Sequence, residues 1–195
     1  RVKLRLSSTG KDRQQMQAVI DKEIELLHQI IPDNIYSAEN EDLGALIGEL
    51  LKAENKTLAT AESCTGGYIA HLITRIAGSS EYYKGSVIAY ANEIKVNTLG
   101  VNAVDIDQYG AVSQQVVEQM AIGVQQKMQT DYAIATSGVA GPSGGSDEKP
   151  VGTVWIAVAT PEGVISKKYQ FGKLRDVNIE RAAISGLGML RKCIV

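Results

Sequence analysis

From residue 57 to the C-terminus, segments with the period of a β-strand alternate with segments with the period of a helix. Such alternation is typical of a sheet with helices on both faces, because each helix crosses one face before the next strand begins. The last two strands are joined only by Pro161, Glu162 and Gly163, which is too short for a parallel crossover. The sequence therefore predicts an α/β fold: three α/β/α layers with a mixed sheet.

The predicted strands span 57–61, 86–91, 132–136, 151–160 and 164–171, and the predicted helices span 43–53, 65–76, 114–128 and 176–191, with a short helix from Glu93. Upstream, Val2, Leu4 and Leu6 alternate with polar residues, which predicts a half-buried strand. Apolar residues from 12 to 31 then recur at helical spacing until Pro32 ends the pattern. One strand and one helix cannot enclose a core. We therefore expect residues 1–37 to be a strand-helix remnant of an α+β domain, 38–41 a linker, and 42–195 the main domain.

Charge and cysteine content narrow the functional classes. The formal net charge is -2 and the pI about 5.8, so direct nucleic-acid binding is not expected. Cys64 and Cys193 lack the spacing of a metal site or a disulfide framework. No apolar run is long enough to span a bilayer. We expect a cytoplasmic protein that uses no metal and does not enter a membrane.

The densest chemical motif is AESCTGG at 61–67, where a predicted strand gives way to a helix. Backbone N–H groups at such a junction favour a developing oxyanion or a phosphate, and glycines allow a ligand to approach closely. This assigns Ser63 as a candidate nucleophile, with Thr65, Gly66 and Gly67 as candidate donors to substrate. The alternative is that Ser63 or Thr65 only caps the helix.

Position does not decide between Ser63 and Cys64. Cysteine is the better nucleophile, but a reactive thiol usually needs a histidine or an equivalent base. The chain has two histidines: His28 lies in the upstream segment, and His71 lies about 12 Å along the helix from Ser63. A Ser-His-Asp triad is therefore not expected, and a hydrolase would have to recruit another base.

The segment YANEIK at 90–95 offers that base. Asn92 fits a helix N-cap, which would place Lys95 in the first turn, where the helix dipole disfavours a cation and lowers the pKa of the amine. Tyr90 at the strand end could relay a proton or hold the lysine. The alternative is that Lys95 is a solvated surface residue and Tyr90 ordinary strand filling.

A third candidate is the glycine-rich loop TSGVAGPSGG at 136–145, which leaves another strand. Such loops can hold phosphate or ribose through backbone N–H groups, although this one matches neither a P-loop nor a dinucleotide fingerprint. The candidate substrate-binding residues here are Ser137, Gly138, Val139, Ala140 and Gly141. The alternative is a flexible connector.

Together, AESCTGG, YANEIK, GAVS at 110–113, SGVAGPSGGS at 137–146 and EKPVGTVW at 148–155 closely resemble the C-terminal domain of the competence-damage-inducible CinA family. The resemblance covers about Asp42 to the C-terminus. Residues 1 to about 37 resemble the end of the KH-like domain that precedes it in longer members, although they lack a GxxG loop.

The resemblance implies a nicotinamide-nucleotide amidase: hydrolysis of nicotinamide mononucleotide to nicotinic acid mononucleotide and ammonia, on an α/β/α fold, with no cofactor. The family's serine falls on Ser63, its lysine on Lys95 and its tyrosine on Tyr90. One alternative is a catalytically idle nucleotide-binding module that serves a competence or recombination partner; another is an amidase for a different nucleotide. We also expect self-association, since a strand-helix remnant leaves apolar surface to cover.

Overall fold

The computed structural model describes residues 4–32, 35–37 and 42–195. The contacts divide the chain into two units, Arg1–Asp42 and Leu43–Val195. The predicted linker at 38–41 and the first residue of the predicted N-terminal strand, Val2, lie outside the described residues.

Among its described residues, the first unit contains one of its two predicted elements. Helix α1 (Arg13–Ile30) begins after Asp12, whose carboxylate accepts from the N–H groups of Gln14 and Gln15. The predicted helix is therefore confirmed. Residues 4–10 form no strand, so the strand prediction is wrong for Leu4 and Leu6. Alternation alone does not make a strand, because a ladder of hydrogen bonds needs a second strand beside it.

The second unit follows the predicted alternation. Its elements are α2 (Leu43–Ala53), β1 (Leu58–Glu62), α3 (Tyr68–Thr74), β2 (Tyr83–Ile88), α4 (Asn92–Leu99), α5 (Ala103–Tyr109), α6 (Gln114–Met128), β3 (Tyr132–Gly138), β4 (Thr153–Thr160), β5 (Gly163–Gln170) and α7 (Arg175–Ile194). A short 3₁₀ turn at Ser79–Glu81 precedes β2. Helix α5 and this turn were not predicted.

The strands form one sheet in the order β2-β1-β3-β4-β5. Strand β1 lies parallel to both β2 and β3, whereas β4 lies antiparallel to β3 and β5. The hairpin and the mixed sheet are therefore confirmed. The three parallel strands end at one edge, and that edge carries the candidate site.

Helices cover both faces of the sheet, which confirms the three layers. The face toward α2, α3 and α7 carries large side chains, which are Leu58, Ile134, Val154, Ile156 and Val158. The face toward α4, α5 and α6 carries the alanines of the central strands, which are Ala59, Ala61, Ala133, Ala135, Ala157 and Ala159. Small side chains on that face let α6 approach the sheet closely.

Helices α4 and α6 also approach each other closely. A Cβ atom added at Gly123 of α6 would lie 1.9 Å from the carbonyl oxygen of Leu99, the last residue of α4. Gly123 therefore sets how near α6 stands to the helix that carries Lys95. None of the helices in the described ranges is long and apolar enough to cross a bilayer.

Candidate active site

The site lies where the three parallel strands end side by side. Glu62 of β1 pairs with Ile88 of β2 and with Thr136 of β3. The residues that follow these three strand positions are Ser63, Ala89 and Ser137, and they therefore lie at the same level. Neighbouring strands are about 4.8 Å apart, so the three predicted motifs meet at one edge. Ligands bind at the carboxyl ends of parallel strands in open α/β sheets generally.

Ser63 stands at the turn between β1 and α3 and is 9% exposed. Its N–H donates to the carbonyl oxygen of Thr136 at 3.0 Å, which fixes the turn to the neighbouring strand. Its hydroxyl makes no hydrogen bond with any residue that the structure describes. The N-cap of α3 is Gly67, with φ 98°, so neither Ser63 nor Thr65 caps the helix as the alternative interpretation held.

The carboxylate of Glu62 takes the place that was predicted for a ligand. It accepts from the N–H groups of Gly67 (3.0 Å), Ile69 (3.0 Å) and Ala70 (2.8 Å) and from the Thr65 hydroxyl (2.7 Å). Gly66 N–H donates to the Ser63 carbonyl instead. The prediction that Gly66 and Gly67 N–H groups face the substrate is therefore wrong, because an internal carboxylate and a turn already use them.

Two N–H groups of the turn remain available. Those of Cys64 and Thr65 have no acceptor among the described residues, although both residues are buried. Buried N–H groups without a partner are rare in proteins. They directly follow Ser63, and an N–H just after a nucleophile is a common oxyanion donor.

The Cys64 thiol lies in an environment that disfavours the reactive thiolate. Burial raises the pKa of Cys64 to about 12. Since the thiolate is the reactive form, the thiol at this position stays protonated and unreactive at neutral pH. The sequence left open whether Ser63 or Cys64 is the nucleophile, and the unreactive thiol favours Ser63.

Lys95 is buried, with only 1% of its surface exposed. Its Nζ donates to the carbonyl oxygens of Ala89 (2.8 Å) and Tyr90 (3.2 Å) at the end of β2. Burial lowers the pKa of Lys95, and the nearby Cys64 opposes that shift. The amine thus lies beside the turn that carries Ser63, but no hydrogen bond joins it to the Ser63 hydroxyl.

The surface alternative for Lys95 is therefore wrong, and burial lowers the pKa of its amine in the direction that was expected. The physical cause differs: desolvation dominates rather than the helix dipole. Asn92 is not the N-cap either, because α4 begins at Asn92 itself after Ala91, which makes no side-chain cap. The exposed Asn92 side chain makes no capping bond, and its predicted contact with substrate stays a prediction.

Tyr90 contacts two functional groups through different atoms. Its carbonyl holds Lys95, whereas its phenol, on a residue that is 62% exposed, accepts from Arg175 Nη2 at 3.3 Å. Arg175 Nη1 donates to the Gly141 carbonyl at 2.7 Å. Arg175, at the start of α7, therefore joins the end of β2 to the glycine-rich loop and places a cation beside the site.

The first half of the glycine-rich loop is held in place rather than flexible. The Ser137 hydroxyl donates to the Ala111 carbonyl at 2.6 Å, and Val139 exchanges backbone hydrogen bonds with Thr153 and Gly152. At Gly138 a Cβ atom would lie 2.6 Å from Val154. The connector alternative is therefore wrong for residues 137–141, and the Ser137 hydroxyl is already engaged.

The N–H groups of Ala140 and Gly141, like those of Cys64 and Thr65, are left without an acceptor among the described residues. Both residues are buried, and neither N–H has an acceptor within the described part of the chain. The Ala140 carbonyl accepts from Asn178 Nδ2 at 2.9 Å, and this amide also donates to the Gly172 carbonyl. Asn178 and Arg175 together hold the loop from α7.

Comparison with known proteins identifies the family. The model of the CinA C-terminal domain matches residues 40–194. The chain belongs to the CinA family. A CinA-like protein of Cytophaga hutchinsonii is 45% identical over 98% of this chain, and one of Flavobacterium psychrophilum is 46% identical over 100% of it. The chain spans about half the length of these curated relatives, 46% and 47% respectively.

Solved structures of CinA-family proteins share the fold. A competence/damage-inducible protein from Agrobacterium tumefaciens is 35% identical, with a TM-score of 0.76, covering 82% of this chain and 98% of that one. A CinA superfamily protein from Escherichia coli is 28% identical, with a TM-score of 0.77, covering 84% of this chain and 98% of that one.

Three residues of this CinA-family site escaped the sequence analysis: Glu62, Arg175 and Asn178. Glu62 lies inside a motif that was singled out, but a single sequence does not show that its side chain folds onto the next helix. Arg175 and Asn178 lie far along the chain, at the start of a helix with no cap residue before it. His71, in contrast, is exposed and stacks on Tyr68 at 6.0 Å, as expected for a residue outside the catalytic group.

Proposed function

We propose that residues 42–195 form an amidohydrolase domain that converts nicotinamide mononucleotide and water to nicotinic acid mononucleotide and ammonia. Ser63 is the nucleophile and Lys95 the general base. The observation that carries this proposal is the buried amine of Lys95. It donates to the two residues that follow β2, the strand beside the one that ends at Ser63, and it has no carboxylate partner among the described residues.

The two carbonyls that hold Lys95 suit a neutral amine. An uncharged amine has two N–H donors and one lone pair, and the carbonyls of Ala89 and Tyr90 can take both donors. The lone pair is then left for the Ser63 hydroxyl, which has no acceptor of its own in the described residues. Burial favours this neutral form, because it lowers the pKa of Lys95.

In the first step, Ser63 Oγ attacks the carboxamide carbon and its proton passes to Lys95 Nζ. Negative charge develops on the carboxamide oxygen, and the N–H groups of Cys64 and Thr65 stabilise it. The protonated Lys95 then gives its proton to the departing nitrogen, and ammonia leaves. The product of this step is a nicotinoyl ester on Ser63.

In the second step, Lys95 accepts a proton from water, and the hydroxide attacks the ester carbon. The same two N–H groups stabilise the oxyanion, and Ser63 leaves with the proton that Lys95 returns. The acid is released and the starting state of both residues is restored. One base thus serves both half-reactions, which is the usual logic of acyl transfer.

The phosphate of the substrate is held at the other side of the site. Arg175 offers a guanidinium group, and Ala140 and Gly141 offer backbone N–H groups without acceptors in the described part of the chain. A planar cation together with backbone donors is a common phosphate-binding combination. This part of the site would distinguish the mononucleotide from free nicotinamide.

The decisive experiment measures ammonia release from nicotinamide mononucleotide by the wild type, Ser63→Ala and Cys64→Ala. We expect Ser63→Ala to lower kcat by at least about 1,000-fold, and Cys64→Ala to keep most of it. The two positions are adjacent and both buried, so the second variant controls for disturbance of the turn. Comparable activity of Ser63→Ala and wild type would refute the assignment of Ser63 as the nucleophile.

A further inference from the structure

Glu62 is a buried carboxylate that the proposed reaction does not use. It is the last residue of β1, is 0% exposed, and directly precedes Ser63. Buried carboxylates are normally paired with a cation or fully hydrogen bonded. Glu62 forms no ion pair with any residue that the structure describes.

Four of its five described partners come instead from one short stretch of chain, and the fifth is the Thr60 hydroxyl, which lies 3.5 Å from Oε1. Oε2 accepts from the Thr65 hydroxyl and from the N–H groups of Gly67 and Ile69, while Oε1 accepts from the N–H of Ala70. The three backbone groups can only donate, so both oxygens must act as acceptors. The carboxylate thus fastens residues 65–70 to the end of β1 and leaves Ser63 and Cys64 at the apex of the turn.

A second network fixes the direction of the Thr65 hydroxyl. Thr65 Oγ1 lies 2.7 Å from Glu62 Oε2 and 2.7 Å from Thr136 Oγ1. Because Thr65 gives its single proton to the carboxylate, Thr136 must donate to Thr65. The carbonyl of the same Thr136 accepts the N–H of Ser63. The turn is therefore held on both sides of Ser63, by Glu62 and by β3.

The geometry points to Glu62 as a positioning residue for the nucleophile: its carboxylate sets the place of Ser63 and of the Cys64 and Thr65 N–H groups relative to Lys95. This inference rests on the proposed function for the identity of the nucleophile. It also explains why the N-terminus of α3 is closed to a substrate phosphate, since Glu62 already takes its N–H groups.

The test compares Glu62→Gln with Asp131→Asn. The glutamine side chain would have nearly the same shape as glutamate, but in either orientation its amide nitrogen would face an N–H donor. Asp131 provides the control, because its carboxylate accepts from the N–H and hydroxyl of Thr57 at the opposite end of β1 and also pairs with Lys56 at 3.1 Å. Both changes therefore remove a carboxylate that accepts from a threonine hydroxyl and from backbone.

We expect Glu62→Gln to lower kcat about 10- to 100-fold with a KM within about twofold of wild type, because a misplaced reacting group costs that much. Asp131→Asn should lower the melting temperature but leave kcat within about twofold. A folded Glu62→Gln with unchanged kcat would overturn the proposal, as would an equal kcat loss in Asp131→Asn.

If Glu62→Gln does not fold, Thr65→Val and Thr65→Ser decide the question. Valine removes the hydroxyl that links Thr136 to Glu62, and serine keeps it. We expect the kcat of the valine variant to fall about tenfold below that of the serine variant. Equal kcat values for the two would overturn the proposal.

A second readout separates this inference from the substrate assignment. A fluorophosphonate reacts with an activated serine whatever the natural substrate is, and mass spectrometry locates the label. Labelling of Ser63 in wild type that slows in Glu62→Gln supports the positioning role even if nicotinamide mononucleotide is not hydrolysed. If the wild type showed no labelling of Ser63 and no turnover, both this inference and the proposed function would be overturned.

Discussion

At the scale of single residues, the pKa of Lys95 controls the proposed reaction. Only the neutral amine can accept the Ser63 proton, and burial lowers its pKa from the ordinary value of 10.5. We expect kcat to rise with pH and then to level off, with the midpoint of the rise below pH 10.5. Ammonia release across a pH series measures this profile. Lys95→Met should be inactive throughout that series.

The same shift gives a prediction that does not depend on catalysis. The unfolded chain binds a proton at Lys95 up to about its ordinary pKa, whereas the folded chain releases it at lower pH. The free energy of unfolding should therefore rise with pH between the folded and unfolded pKa values. Lys95→Met should lose this part of the pH dependence in denaturant titrations; an identical dependence in both proteins would contradict a lowered pKa.

Cys64 allows a direct chemical check of its environment. Its thiol is buried and its pKa is raised to about 12, whereas Cys193 is only partly buried. We expect iodoacetamide at neutral pH to alkylate Cys193 first and to reach Cys64 only after denaturation. Peptide mass spectrometry measures both sites in one sample. Rapid alkylation of Cys64 in the folded protein would restore it as a candidate nucleophile.

Arg175 tests the proposed phosphate site. Arg175→Gln removes the guanidinium that bonds Gly141 and Tyr90, and we expect KM for nicotinamide mononucleotide to rise at least about tenfold. Lys173→Gln is the matched control, because it removes the same charge from a neighbouring exposed residue. Equal KM changes in both variants would indicate a general effect of charge rather than a specific contact.

At the scale of elements, the position of α4 depends on how closely α6 approaches it. Lys95 is the fourth residue of α4, and the last carbonyl of that helix lies against Gly123 of α6. Helices pack this closely only where one of them lacks a side chain. The lysine is thus positioned from both sides, by the carbonyls of Ala89 and Tyr90 at its amine and by α6 at its helix.

Two glycine-to-alanine changes distinguish the effect of this close packing on stability from the effect of helix propensity. Gly123→Ala would place a methyl group against the Leu99 carbonyl and should destabilise the fold by about 1 to 3 kcal/mol. Gly188→Ala in α7 meets no atom within 4 Å and should stabilise by up to about 1 kcal/mol. Thermal unfolding measures both, and a Gly123→Ala protein as stable as wild type would contradict the close approach.

At the scale of the whole molecule, the sequence predicted what depends on local pattern. Hydrophobic period located most strands and helices, and the short connection at 161–163 correctly predicted a mixed sheet. Ser63 was placed at the end of one predicted strand and Lys95 in the first turn of the helix after another, and those two strands proved to be neighbours. Helix α5 was missed because it buries a single residue, Ile106, which gives no apolar period, whereas α3, also of seven residues, buries Ile69 and Ile73.

Long-range contacts could not be predicted in this way. The Glu62 carboxylate satisfies N–H groups up to eight residues away, and Arg175 reaches a tyrosine 85 positions earlier. Both bonds depend on how the layers pack, which composition and spacing do not specify. The predicted donors at Gly66 and Gly67 failed because a local rule about helix N-termini took no account of nearby internal acceptors, which are the Ser63 carbonyl for Gly66 and the Glu62 carboxylate for Gly67.

The arrangement of the two cores predicts that residues 42–195 fold and act without the preceding segment. Both buried clusters consist only of residues from this range, between Ile47 and Ile194. The proposed catalytic groups also lie within it. We expect the shortened chain to unfold cooperatively and to release ammonia from nicotinamide mononucleotide with a kcat within about threefold of the full chain, since its own core supplies its stability. Parallel assays of both chains provide the measurement. A soluble, folded 42–195 chain without activity beside an active full chain would mean that the first 41 residues contribute to the site.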